Sequence, residues 1–233
     1  MSRPYILEIS VETVDAALAA ERAGADRIEL CSNTNEGGTT PAFGLMQSAR
    51  ERMRLPIFAM IRPRAGDFLY SGVEFAAMQS DIDSAKKLQL DGIVLGLLDG
   101  HGKIDVARTS QLIAHAAPLP ATFHRAFDAC ADLSAALEDV VKTGATRLLT
   151  SGGKTITPEA MGILADLVRL AAGRIAVMPG SGLHYGNIRE AVRQIRAGEY
   201  HAGLSSVIPH PAENLNAYEE EVRKLARALR SCN

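Results

Sequence analysis

Cysteine is scarce in this sequence, and other absences exclude several classes of protein. The three cysteines are widely separated and form no CxxC pair, which predicts no disulfide framework and favours a reducing cytoplasm. The first five residues lead directly into a strand pattern, so no signal peptide is expected and a cytoplasmic location is favoured. No apolar run approaches the ~20 residues that span a bilayer, and no membrane association is expected.

An excess of positive charge and the common metal-binding motifs are also missing. The formal net charge is −2, so a basic surface for nucleic acid is not expected. No HxH, HExxH or Cys/His cluster occurs, which argues against a zinc site. The methionines lack the MxxM spacing of a thioether copper site.

Eight short apolar strand patterns alternate with eight amphipathic helical patterns along the 233 residues. We expect strands near 5–10, 27–31, 56–61, 92–95, 121–124, 147–150, 175–179 and 199–202. We expect helices near 14–22, 43–53, 74–87, 106–116, 133–142, 158–170, 187–196 and 217–229. The alternative, an open doubly wound sheet, would need a glycine fingerprint after the first strand, and Val-Glu-Thr-Val-Asp at 11–15 has no glycine. The sequence therefore predicts an α/β fold, a (β/α)₈ TIM barrel that forms a single domain over residues 1–233.

Several of the predicted strands carry or end in residues that a buried strand should not contain. Side chains alternate along a strand, so Glu29 and Cys31 should face the same side, and burying unpaired charges costs several kcal/mol, roughly. Active sites of such barrels lie at the carboxyl ends of the strands. The predicted catalytic residues, with His201 facing them from the last strand, are Glu8, Glu29, Arg62, His124 and Asp128. The alternative is a set of salt bridges that closes the barrel.

Glycine-rich loops follow the sixth and seventh strands. Thr-Ser-Gly-Gly at 150–153 and Pro-Gly-Ser-Gly at 179–182 present backbone N–H groups that can bind an anion. The predicted anion-binding residues are Arg64, Ser151, Gly152, Gly180 and Gly182. Turn geometry alone also explains each glycine.

Longer motifs resemble the CutC family over residues 5 to about 203. They are Leu-Glu-Ile-Ser at 7–10, Gly-Ala-Asp-Arg-Ile-Glu-Leu-Cys-Ser at 24–32, Gly-Gly-Thr-Thr-Pro at 37–41, Met-Ile-Arg-Pro-Arg at 60–64 with Gly-Asp-Phe at 66–68, Thr-Phe-His-Arg-Ala-Phe-Asp at 122–128, Leu-Thr-Ser-Gly-Gly at 149–153 and Met-Pro-Gly-Ser-Gly at 178–182. The resemblance implies a cytosolic TIM-barrel protein linked to copper homeostasis, with copper(I) bound by cysteines of the first two strands. This chain keeps Cys31 but has Ser10 where some relatives carry the first thiol. Near the last strand, the family's Phe-His-x-Ser-Ala-Arg pattern becomes Tyr-His-Ala-Gly-Leu-Ser at 200–205.

Two functional hypotheses follow. In the first, the protein acts in copper homeostasis and binds Cu(I) weakly through Cys31 and a neighbouring ligand, because one thiolate is too few for the sulfur coordination that Cu(I) prefers. In the second, it is a barrel enzyme that uses Glu/His acid–base chemistry on a small anionic or phosphorylated metabolite. The sequence leaves the oligomeric state open, and a homodimer or homotetramer is compatible with it.

Overall fold

The computed structural model describes residues 5–204, 207–208 and 211–232, and within them eight parallel strands alternate with eight α-helices. The strands are β1 Ile6–Val11, β2 Arg27–Leu30, β3 Ile57–Met60, β4 Gly92–Leu95, β5 Ala121–Phe123, β6 Arg147–Thr150, β7 Ala176–Pro179 and β8 Glu199–Ala202. The helices are α1 Val14–Ala23, α2 Phe43–Arg52, α3 Gly72–Lys87, α4 Val106–Ala116, α5 Leu133–Thr143, α6 Met161–Ala171, α7 Ile188–Ile195 and α8 Leu215–Arg230. The predicted (β/α)₈ barrel is confirmed.

The strands form a ring in chain order. Each strand from β1 to β6 is hydrogen-bonded to the next, and β8 pairs with β1, with Glu8 of β1 opposite His201 of β8. At the seam of this nearly closed barrel, β7 and β8 pack side by side. The carboxyl ends of all eight strands therefore meet at one mouth.

Local signals explain where the helices begin and end. Ser71 caps α3 and forms a reciprocal capping box with Glu74, so the helix begins two residues before its predicted start. Gly24 ends α1 in the left-handed conformation, at φ 102°. In contrast, α6 begins three residues later than predicted, because the chain around Pro158 forms a separate 3₁₀ turn.

The two faces of β1 and β2 have different chemistry. The outward side chains are apolar and pack under the helices, as Leu7 and Ile9 of β1 and Ile28 and Leu30 of β2 do. Inward side chains of these strands, such as Glu8, are charged and are nevertheless buried. Barrel interiors are usually filled by branched apolar residues, and the charged side chains in this interior depart from that pattern.

No helix in the described part of the chain is long and apolar enough to cross a bilayer.

Candidate functional site

A column of alternating charges fills the lower part of the barrel interior. Arg147 and Arg27 both bond to the carboxylate of Glu199, each at 2.6 Å, and Arg27 also donates to the carboxylate of Glu8. The guanidinium carbons of both arginines lie 5.1 Å from the centre of the Phe58 ring. The floor of the barrel is thus closed by ion pairs and cation–π contacts.

His201 continues the column toward the mouth. Its Nδ1 lies 2.8 Å from Glu8 Oε1, and its Nε2 lies 3.7 Å from Glu29 Oε2. Burial alone would raise the pKa of Glu8, but Arg27 and His201 lower it to about 2. Burial opposes protonation of His201, yet the two glutamates raise its pKa above the ordinary value. Burial also raises the pKa of Glu29.

Above this column, a cavity of about 610 Å³ opens at the carboxyl ends of the strands. Of the residues predicted from sequence, those that line it are Glu29, Cys31, Arg62, His124, Gly182 and His201. Those that lie outside its lining are Glu8, Asp128, Arg64, Ser151, Gly152 and Gly180. A larger surface groove, about 1030 Å³, lies beside α7 and the chain end and contains none of the predicted residues. We therefore place the candidate site in the mouth cavity.

Three groups on the cavity wall are buried without a hydrogen-bond partner among the described residues. They are Glu29 Oε1, Arg62 Nε and His124 Nε2, on residues that are only 3%, 3% and 4% exposed. A buried polar group without a partner costs about 1–3 kcal/mol, and such groups are commonly retained where a ligand will pair with them.

The tautomer of His124 follows from its surroundings. Its Nδ1 accepts the Ala126 N–H at 3.2 Å, so in the neutral ring Nε2 carries the proton. Burial, together with the positive charge of Arg62, lowers the pKa of His124 to about 3. At neutral pH the ring is uncharged, and its Nε2–H is available as a donor to a molecule in the cavity.

Arg62 binds two loops through its Nη atoms, while its Nε has no partner among the described residues. Its Nη1 donates to the carbonyls of Glu36 and Gly38 at 2.8 and 2.9 Å, and its Nη2 donates to that of Gly66 at 2.8 Å. Its guanidinium also packs 4.8 Å from the centre of the Phe68 ring. Arg62 therefore joins the loops after β2 and β3 and places a positive charge in the cavity wall.

Arg64, predicted to bind an anion, points away from the cavity. It pairs with Asp67 at 2.8 Å and Glu74 at 2.6 Å, and it stacks on Tyr70. Two carboxylates already neutralise its charge, so Arg64 stabilises the start of α3.

The glycine loop after β6 already holds an anion, which is a side chain of the protein. The carboxylate of Asp128 accepts the N–H groups of Ser151 and Gly153 at 3.0 and 3.1 Å, and also the Ser151 hydroxyl at 2.9 Å. The Gly152 N–H donates to the Thr150 hydroxyl at 2.9 Å. The N–H groups predicted to bind a ligand are therefore occupied, and Asp128 acts as a loop clamp.

The loop after β7 differs from the loop after β6. The Gly180 N–H donates to the Thr150 carbonyl at 3.0 Å, but that of Gly182 has no partner among the described residues. Ser181, at φ 81°, has a backbone conformation that non-glycine residues rarely adopt. Ser181 and Gly182 both line the cavity, so this loop retains a donor for an anion.

Cys31 is a buried thiol beside a second sulfur. Its Sγ lies 3.3 Å from Ser10 Oγ and 3.6 Å from the Val11 carbonyl oxygen. Burial and then the nearby Glu29 raise its pKa far above the usual range. It packs with Met60 in a small apolar cluster on the cavity wall. The cavity wall therefore presents a neutral thiol and a thioether.

The charged floor was also absent from the predicted site. Arg27, Arg147 and Glu199 stand at the first positions of their strands, where they resemble surface residues that follow a turn. The signal that finds them is alternation, since Arg27 lies two residues before Glu29, and Glu199 lies two residues before His201.

The chain matches the model of the CutC family over residues 5–206. A CutC family protein of Chromobacterium violaceum is 49% identical over 197 residues, which cover 84% of this chain and 80% of the relative. A human copper homeostasis protein cutC homolog is 45% identical over 202 residues, which cover 87% and 74%.

Solved structures agree with the sequence relatives. A CutC structure from Streptococcus agalactiae has a TM-score of 0.81 and 31% identity, covering 85% of this chain and 98% of that one. The phosphoribosylanthranilate isomerase of Thermotoga maritima, at 13% identity and a TM-score of 0.61, shares the fold. On the family model, the close relatives and the first of these structures, this chain belongs to the CutC family.

Proposed function

We propose that this protein is an enzyme that carries out acid–base chemistry on a small anionic carbonyl compound bound in the mouth cavity. One observation carries the proposal: an unpartnered carboxylate oxygen of Glu29 and an unpartnered Nε2 of His124 are both buried on the wall of one cavity. A molecule with an acidic C–H bond next to a carbonyl group would pair with both.

The two groups have complementary roles. Neutral His124 donates its Nε2–H to the carbonyl oxygen and stabilises the negative charge that develops there when the C–H bond breaks. Glu29 accepts the proton from carbon, which leaves an enolate, and then returns the proton to it. Because its pKa is raised, Glu29 is a stronger base than an exposed carboxylate.

Two cationic side chains favour an anionic substrate. Arg62 has no carboxylate partner among the described residues, and Arg125 lines the same cavity while pairing with Asp128 at 2.9 Å. The N–H of Gly182 is the best candidate donor to a phosphate or carboxylate at the far end of the substrate.

The test is carbon-bound hydrogen exchange. The protein is incubated in D₂O with glyceraldehyde, dihydroxyacetone, their phosphates and pyruvate, and the C–H signals are followed by proton NMR. We expect exchange in at least one compound, and a loss of about 10²–10⁴-fold in the rate for Glu29→Gln. Glu36→Gln, at the exposed rim of the same cavity, is the matched control and should retain the rate. No exchange, or equal rates in the wild type and Glu29→Gln, would sink the proposal.

Copper(I) is a second candidate ligand, favoured by the packing of Cys31 against Met60 on the cavity wall. The names of the human and mouse relatives refer to copper homeostasis. A thiol and a thioether suit Cu(I), but the second strand thiol is replaced by Ser10, so we propose weak binding.

Anaerobic competition with a Cu(I) chelator tests this second candidate. Cys31→Ala and Met60→Leu should each lower Cu(I) retention modestly. Stoichiometric, chelator-resistant binding that disappears in Cys31→Ala would contradict a weak site. A cytoplasmic location is also part of the proposal, supported by three cysteines that are all unpaired.

A further inference from the structure

The gap between His201 and Glu29 has the dimensions of a metal site. The separation between Nε2 and Oε2 is 3.7 Å, too long for a hydrogen bond. Two ligands at the usual zinc distances of about 2.0–2.2 Å span that separation at an angle of roughly 120°. The three side chains Glu8, Glu29 and His201 have ligand atoms within 4.8 Å of one another.

Glu8 already orients the His201 imidazole, from the side of the ring opposite the gap. Glu8 Oε1 lies 2.8 Å from His201 Nδ1, and Arg27 holds the other oxygen of Glu8. A carboxylate on Nδ1 fixes one proton there, as in carboxylate–histidine–zinc triads. A metal ion at Nε2 would take the place of the second proton that the two glutamates favour. Glu8 is therefore an outer partner and not a ligand.

The open side of the site is formed by Glu29. Its Oε1 has no partner among the described residues, although the residue is only 3% exposed. Glu29 and His201 both line the cavity, so water or substrate can reach an ion between them. Catalytic zinc sites keep such an open position.

We propose that His201 Nε2 and Glu29 bind a divalent transition-metal ion, with Zn²⁺ as the preferred class and water completing the coordination. The sequence motifs for zinc are absent because the two ligands come from different strands, β8 and β2, and meet only in the closed barrel. The inference deepens the proposed function and rests on it: Glu29 would hold the ion through Oε2, beside His201, and keep Oε1 for the substrate proton, while the ion would polarise the substrate oxygen.

Metal binding is measured without substrate, so its outcome is separate from that of the exchange assay. The protein is stripped with chelator and titrated with Zn²⁺ by calorimetry, and with Co²⁺ by visible absorption. We expect one ion per chain and at least a ten-fold loss of affinity in Glu29→Gln and in His201→Gln. Glu29→Gln preserves the shape of the side chain, and Glu36→Gln is the control that should bind as the wild type does.

The Co²⁺ spectrum separates this site from the sulfur pair. Nitrogen and oxygen ligands give weak visible bands alone, whereas a Cys31 thiolate adds an intense near-ultraviolet charge-transfer band. Absence of stoichiometric binding, unchanged affinity in Glu29→Gln, or a thiolate band that disappears in Cys31→Ala would each overturn the assignment.

Discussion

His124 should make the folded protein sensitive to mild acid. In the folded state its pKa is about 3, compared with an ordinary value of 6.5, because the ring is buried and faces Arg62. The unfolded chain therefore binds a proton at His124 that the folded chain excludes. Above pH 6.5 neither state binds this proton, and His124 costs no unfolding free energy. As the pH falls from 6.5 toward 3, protonation favours the unfolded chain, and the unfolding free energy decreases.

The magnitude follows from the interval between the pKa values. At pH 5.0 the unfolded histidine is 1.5 pH units below its pKa of 6.5, and each unit is worth about 1.36 kcal/mol. Lowering the pH from 7.5 to 5.0 should thus cost about 2 kcal/mol of unfolding free energy through His124 alone. Other groups also contribute to the change in unfolding free energy of the whole protein. The pKa of His201 is raised, so lowering the pH stabilises the folded state through this residue.

Urea unfolding of the wild type and His124→Asn at both pH values isolates the effect. The Asn oxygen can accept the Ala126 N–H in place of Nδ1, and Asn does not titrate. The wild type should lose about 2 kcal/mol more than His124→Asn between the two pH values. His101→Asn, at an exposed turn, controls for the removal of one imidazole. Equal losses in wild type and His124→Asn would refute the account, because they would mean that the folded protein can protonate His124.

Two further predictions concern packing and charge inside the barrel. Glu8→Gln leaves buried positive partners uncompensated and should cost about 3–5 kcal/mol in urea unfolding, whereas Glu159→Gln, at an exposed residue, should change stability by less than about 0.5 kcal/mol. Gly96→Ala would place a Cβ 2.5 Å from His124 Nδ1, so we expect about 1–3 kcal/mol of destabilisation from overpacking. Gly100→Ala meets no atom within 4 Å and is its control. A wild-type melting curve for either interior variant would contradict these expectations.

Strand alternation was enough to predict which side chains of β2 face the barrel interior. It put Glu29 and Cys31 on the same side of a strand, and both line the cavity. The eight-fold repeat of strand and helix leaves few other ways to bury the apolar faces.

The partners of the charged residues could not be predicted in the same way. Ser151 and Gly152 lie in a loop whose N–H groups look free in sequence, but Asp128 and Thr150 accept them in three dimensions. Arg64 looks available for an anion until Glu74, ten residues away, pairs with it. Alternation gives the direction of a side chain, whereas contacts between separate loops depend on the closed ring.

The closed floor around Phe58 limits how a molecule can enter and leave the cavity. Its ring, together with Arg27, Arg147 and Glu199, fills the interior beneath the cavity. In the proposed function, substrate and product would both pass through the mouth, and bound product would exclude the next substrate. We would then expect the product to be a competitive inhibitor.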